Sequence, residues 1–344
     1  MLSLYRPTIR RADMDAVLRR LAEDSIGAGE LSREFSQSLA KYLGRRSGVS
    51  MRSLGSALRA AIGSLMLAPG SRIGLSALTH GYVWRVFESL GFEPVVIDTQ
   101  RSLPILPSPL DFDYEPLELS CIYVDSRLGF IPDLNGLRQI RVPIIEDVSE
   151  GLGGNTGSEM AGSAGELTIV GLEPEHIITA GGGATVVTNN TRRVSSLSAA
   201  TDSGFGEASL PDMNAAMALT QMRQLEAFIE RRRELASRFL KTIQRGRHVL
   251  PLQGGDGEAV FPALPVLVES SPREVEQYAR SHGVSAGRAF QDTALSLLSD
   301  VEHDVTHLFP NALSLAGRMV LFPLYPTLGK SEQETIERIL ATMP

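Results

Sequence analysis

Six short apolar runs constrain the fold of this 344-residue chain more than any other feature: RIGLSAL (72–78), EPVVIDT (93–99), LSCIYVD (119–125), VPIIEDV (142–148), LTIVGL (167–172) and ATVVTNN (184–190). Their apolar residues are nearly continuous instead of alternating, which marks strands covered on both faces, as in a parallel sheet. Helical patterns separate several of them, such as SLGSALRAAIGSLML (53–67) and GYVWRVFESLG (81–91). Strand–helix alternation argues for an α/β fold with right-handed crossovers, in which ligands sit beyond the carboxyl ends of the strands.

From Pro211 to about Arg245 the pattern reads as one long amphipathic helix, with Met222, Leu225, Ile229, Ala236 and Phe239 on a single stripe. Within it, Arg231, Arg232 and Arg233 read as a solvated face. A strand-like run, AVFPALPVLVE (259–269), and the helices PREVEQYARSHG (272–283) and SEQETIERILATM (331–343) follow. The expected organisation is a large α/β domain over 1–230, with a mostly parallel, seven-stranded type of sheet sandwiched by helices. A smaller C-terminal α+β domain over 231–344 is joined to it by the helix from 211 to about 245.

Composition narrows the function. A net charge of −7 leaves no basic field for nucleic acid or an anionic membrane surface. No apolar run reaches the roughly 20 residues that cross a bilayer. The opening MLSLYRPTIRRADMD has no charged-then-apolar signal pattern, so a cytoplasmic protein is expected. The single cysteine, Cys121, reads as a small buried hydrophobe. Among the 33 basic residues only Lys41, Lys241 and Lys330 are lysines. That scarcity matters wherever imine chemistry needs a primary amine.

Asp147 ends the run VPIIED just where a buried strand should end, so its carboxylate faces the expected crevice and can hold a protonated ring nitrogen; a turn role in DVSEGLGG is the alternative. His80 follows Thr79 just after the strand RIGLSAL, where a ring can stack on a flat ligand or stand exposed in a loop. His176 follows Glu175 in the turn EPEHIITAGGG, near the same crevice. GLGGNTG (151–157) is not a dinucleotide fingerprint, because Thr156 stands where the third glycine belongs. GGG at 181–183 has no Walker lysine after it; three glycines there allow a tight turn or a close approach to a ligand. His303 and His307 have helical spacing but no third ligand, so no metal site is expected.

The order of several segments resembles one family. LSLYRPTIRRADMDAVLRRL, SALTHGYVWRVFESLGFEPVVIDT, IIEDVSEGLGG, LPDMNAAMALTQMRQLEAFIERRRELASRF and LAGRMVLFPLYPTLGKSEQETIERIL together are similar to the DegT/DnrJ/EryC1/StrS sugar aminotransferases. The resemblance implies the aspartate-aminotransferase fold, pyridoxal phosphate (PLP) or its amine form (PMP) as cofactor, nucleotide-linked keto sugars as substrates and a homodimer. By resemblance, Asp147 would pair with the pyridine nitrogen, His80 would take the stacking position, Glu150 would face the cofactor ring, and Ser53 would lie in the phosphate loop.

The departures from that pattern are concentrated in one pocket. The family's lysine turn runs roughly S-F-x-P-x-K-x-x-T-x-G-E-G-G. Its lysine falls on Glu175 when aligned from the glycines, or on His176 when aligned from Pro174. The phosphate-holding serine becomes Val170 or Gly171, the early S-G-T becomes Ser53-Leu54-Gly55, the glutamate of G-E-G-G becomes Gly181, and the asparagine that crosses the dimer interface falls near Glu207. Ordinary transamination is therefore not expected. What is expected is a divergent member in nucleotide-sugar, polysaccharide or deoxysugar biosynthesis. One version is a PMP- or PLP-dependent 3-dehydratase-like enzyme with His176 as base. Another is a non-catalytic pseudoenzyme that partners or regulates an active paralogue, and a third is a pocket that now binds another small ligand without PLP; several altered residues in one pocket favour loss of the cofactor.

Overall fold

The computed structural model describes residues 1–202, 208–299 and 305–344. Its helices are α1 (Arg11–Ala22), α2 (Glu30–Tyr42), α3 (Leu54–Ser64), α4 (Gly81–Ser89), α5 (Leu134–Leu137), α6 (Thr191–Asp202), α7 (Asp212–Met222), α8 (Leu225–Ile243), α9 (Pro272–Ser281), α10 (Ala294–Ser299), α11 (Val305–Leu308), α12 (Pro310–Arg318) and α13 (Lys330–Thr342). All six apolar runs form strands: β2 (Arg72–Ser76), β3 (Glu93–Ile97), β4 (Cys121–Asp125), β5 (Ile144–Asp147), β6 (Leu167–Gly171) and β7 (Ala184–Thr188). A seventh, β1 (Ser47–Met51), has the sequence SGVSM and carries no apolar run. It pairs antiparallel with β7 at the sheet edge, from Ser47 opposite Thr188 to Met51 opposite Ala184.

The sheet order is β1-β7-β6-β5-β4-β2-β3. The strands β2 to β6 run parallel, and only the β6–β7 and β7–β1 pairs are antiparallel. Neighbouring residues feed opposite cores: Ile122, Val124 and Ile144 pack with Phe35 and Leu39 on one face, while Tyr123 and Ile145 pack with Leu58 and Phe87 on the other. Two buried faces are why the runs do not alternate. A second sheet, ordered β8-β10-β9 from β8 (Leu264–Leu267), β9 (Gly287–Arg288) and β10 (Met319–Phe322), is antiparallel. Its core joins Val266 and Val320 to Phe239 of α8, Val275 of α9 and Ile336 of α13. No helix among the described residues is long and apolar enough to cross a membrane.

Two expectations need correction. The helix expected from 211 to about 245 is two helices, broken at Gln224, whose φ of −110° and ψ of 0° leave helical geometry. There the Gln224 side chain turns to accept Arg10 Nη1 at 2.7 Å; Leu225, Phe228 and Ile229 of α8 still share a core with Ala215 and Leu219 of α7, and α8 reaches the core of the second sheet only from Leu235 onward. The arginine run is not a solvated face: Arg232 is only 3% exposed, and its Nη1 donates to the carbonyls of Phe261, Pro262 and Leu324. Those are carbonyls a connecting segment would otherwise bury unpaired, and a buried guanidinium can serve all three. The first residues meet the core of the second sheet. Leu2 bridges to Val284, with Leu2 N–H donating to Gly283 O at 2.7 Å.

Candidate functional site

The chain steps from β2 out to β3 and then returns across β2 to β4. That reversal opens a crevice beyond the carboxyl ends of β2 and β4. A cleft of about 200 Å³ lies there, and it brings together His80, Asp147, Glu150, Glu175 and His176 from three separate parts of the sequence.

Asp147 ends β5 and is 5% exposed. Tyr123 Oη donates to its Oδ2 at 2.6 Å; Ser149 donates its N–H at 2.9 Å and its Oγ–H at 2.5 Å to Oδ1. Ser149 Oγ in turn accepts Gly171 N–H at 2.7 Å. The adjacent acid, Glu146, points to the opposite face, as strand alternation requires, and accepts the N–H groups of Gly162, Ala164 and Gly165.

In the neighbouring strand Asp125 stands in register with Asp147. Thr79 Oγ1 donates to Asp125 Oδ1 at 3.1 Å, closing the switch point between β2 and β4. Burial pushes the Asp125 carboxyl up to about 7; Arg127 opposes this, and the like charges of Asp147 and Glu150 add to it.

Glu150 is held from three sides. Arg127 Nη1 and His80 Nε2 (3.2 Å) bond its Oε1, and Leu128 N–H donates to Oε2 at 2.5 Å. Burial alone would raise this carboxyl; the guanidinium, the imidazole and the amide outweigh it and hold it at about 2. Arg127 also donates through Nε to Leu78 O at 2.9 Å. Leu128 makes its contact from a left-handed φ of +55°, a costly conformation for leucine that the Glu150 bond helps fix. His80 precedes α4 with a side chain 44% exposed and its ring 5.7 Å from that of Tyr82.

The β6–β7 turn forms the remaining wall. Glu175 is exposed, and His176 is half-buried. Glu173 N–H donates to His176 Nδ1 at 3.2 Å, so the neutral ring carries its proton on Nε2. The imidazole lies on Gly171, where a Cβ would stand 2.5 Å from His176 Cε1 and 2.8 Å from Ser149 Oγ. A side chain at 171 and the imidazole in this position compete for the same space. The glycines at 181–183 all have positive φ. At Gly183 a Cβ would meet Leu210 Cδ1 at 2.5 Å and Met51 O at 3.0 Å, which makes the triplet a tight turn into β7.

Ser53 does not line the cleft. It caps α3, accepting Ser56 N–H at 3.1 Å, and Leu54 lines the cleft beside it. Glu207 and His303 lie outside the described residues. Arg127, Asp125, Ser149 and Tyr123 were not singled out from sequence. Asp125 carries the signal that found Asp147, an acid closing an apolar run, and that rule would have found it. Tyr5, 38% exposed, also stands near the site, and burial, then Glu150 and Glu175, push its hydroxyl upward.

These residues fit PLP only in part. Asp147 and His80 suit a pyridine ring. The rest of the wall does not suit the phosphate or the aldehyde: five carboxylates, Asp125, Asp147, Glu150, Glu173 and Glu175, line the cleft against one permanent cation, and that cation, Arg127, is bound to Glu150. Lys41, Lys241 and Lys330 are exposed on α2, α8 and α13 and do not line it. The site as built does not fit a covalently held, dianionic cofactor. Cys121 is fully buried, and burial pushes its thiol up to about 12, as expected of a structural cysteine.

Comparison with known proteins agrees with the fold. A UDP-4-amino-4,6-dideoxy-N-acetyl-beta-L-altrosamine transaminase of Campylobacter jejuni subsp. jejuni serotype O:23/36 (strain 81-176) is 23% identical over 276 residues, covering 72% of this chain and 71% of that protein. The aminotransferase TlmJ from Streptoalloteichus hindustanus superposes with a TM-score of 0.90 at 21% identity, covering 99% and 98% of the two chains. The Spr1654 protein from Streptococcus pneumoniae, in its PMP form, gives 0.88 at 18% identity, covering 98% and 96%. The model of the DegT/DnrJ/EryC1/StrS aminotransferase family matches residues 7–341, and the chain belongs to that family.

Proposed function

We propose that this chain is a nucleotide-sugar protein of its family that binds its ligand without ordinary transamination. One observation carries the reading: an imidazole, packed on Gly171 and tied through Nδ1 to Glu173 N–H, stands in the turn that would offer the amine. The same bond counts against the dehydratase reading. For His176 to act as a base through Nε2 its proton must sit on Nδ1, where it would face the Glu173 N–H. A ligand-binding homologue that acts as a homodimer, or beside an active paralogue supplying the missing amine, fits these constraints best.

The test is a visible spectrum of the purified protein with PLP and with PMP, followed by assay of a nucleotide-linked keto sugar with glutamate. No imine band and no turnover are expected. A band abolished by borohydride, together with sugar turnover, overturns the reading. Size measurement alone and with an active paralogue tests the assembly.

A further inference from the structure

Two separate observations inside the cleft point to a ligand of particular charge. The first is the imbalance among its lining groups. The Arg127 guanidinium is committed to Glu150 and to Leu78 O. Asp147 is committed to Tyr123 and Ser149. Most of what faces the cleft uncommitted is acidic: one oxygen of Asp125, whose other oxygen accepts Thr79, and the carboxylates of Glu173 and Glu175, with His176 Nε2–H as a lone neutral donor beside them. The second observation is independent of charge. Ser126 lines the same cleft, is 2% exposed, and its Oγ has no hydrogen-bond partner among the described residues. A buried hydroxyl left alone is destabilising, and a ligand atom that bonds it removes that cost.

We propose that the cleft recognises a small protonated amine bearing hydroxyl groups, with the ammonium on Asp125 and the Glu173–Glu175 rim and a hydroxyl or N–H on Ser126 Oγ. This rests on the reading above, in which no amine of the protein's own occupies the turn. A divalent metal is the poorer candidate, since no three His, Asp or Glu side chains among the described residues converge as metal ligands do. An anion is poorer still. His176 Nε2–H is a single neutral donor, the Arg127 guanidinium is already paired with Glu150, and Ser53 already satisfies one N–H of the α3 N-terminal turn. An ammonium brings donors to acceptors that lack them, and the ionised form of Asp125, which burial disfavours, becomes the favoured form once a cation is beside it.

The experiment is calorimetric titration of the full chain with D-glucosamine, with N-acetyl-D-glucosamine, which keeps the ring and loses the charge, and with inorganic phosphate. Glucosamine should bind at least about tenfold more tightly than the other two. Asp125→Asn should weaken it about tenfold or more, and Glu175→Gln, on an exposed position, about two- to fivefold. Equal affinity for the two sugars, tighter binding of phosphate, or no binding of glucosamine overturns the proposal. If Asp125→Asn fails to fold, the sugar pair and Glu175→Gln still decide. A borohydride-sensitive band with PLP would instead overturn the reading under Proposed function, so the two failures are distinguishable.

Discussion

On the strand wall of the cleft Asp147 receives three hydrogen bonds, and Glu150 is gripped by a guanidinium, an imidazole and a backbone amide. On the opposite wall, in the β6–β7 turn, the Glu175 carboxylate makes no hydrogen bond among the described residues, and His176 is positioned by one N–H and a bare glycine. The strand wall is built into the sheet, so altering it costs stability. The turn is not, and its residues are free to exchange one chemistry for another. No lysine stands in that turn, and it is the wall the fold constrains least.

If that contrast holds, Glu150→Ala has the largest effect. It leaves Arg127, with a side chain 4% exposed, without its partner, a loss worth about 3–5 kcal/mol. Nearby Asp125 should keep the loss at the lower end. Because the folded Glu150 pKa is depressed to about 2, the stabilisation is present above the ordinary carboxylate range and is lost as pH falls through about 2. Urea unfolding at pH 7 should show the full loss, and the gap to the wild-type chain should narrow from pH 5 downward. A pH-independent loss would mean that packing, not charge, is what Glu150 supplies.

Asp125→Asn comes next, with the opposite sign. The folded pKa is raised from 3.8 to about 7, so the native state holds a proton that the unfolded chain has released, and wild-type stability falls between pH 4 and 7. The asparagine keeps an acceptor for Thr79 and removes that cost. The variant should match wild type near pH 4 and exceed it at pH 8 by on the order of 2–4 kcal/mol, while losing the amine affinity proposed above. A variant less stable at pH 8 would show that the carboxylate is stabilising where it stands. On the turn wall, Gly171→Ala drives a methyl into His176 Cε1 and Ser149 Oγ, an overpacking worth about 1–3 kcal/mol. The cost should shrink in a His176→Ala background, and simple additivity of the two changes would uncouple them.

The same division explains what could be read from the chain. The parallel strands were legible because both faces are buried, and Asp147 was legible because an acid closed such a run. β1 was not, since SGVSM at an edge is specified by its pairing with β7 and not by its own pattern. The break at Gln224 was hidden because Met222, Leu225 and Ile229 keep helical spacing across it. Arg127 was invisible for another reason. It lies in a turn, where neither periodicity nor spacing marks a residue, and its role appears only when Glu150, 23 positions away, folds against it.

The smallest effect separates capping from recognition. Ser53 lies where a phosphate loop would be expected, yet its Oγ accepts Ser56 N–H at 3.1 Å, and Leu54, not Ser53, reaches the cleft. Ser53→Ala should therefore cost about 1 kcal/mol of stability, the usual value of an N-cap, and leave glucosamine binding unchanged. Urea unfolding and one titration measure both quantities. If affinity drops while stability does not, the α3 terminus belongs to the ligand site, and the acidic turn is no longer the wall that selects the ligand.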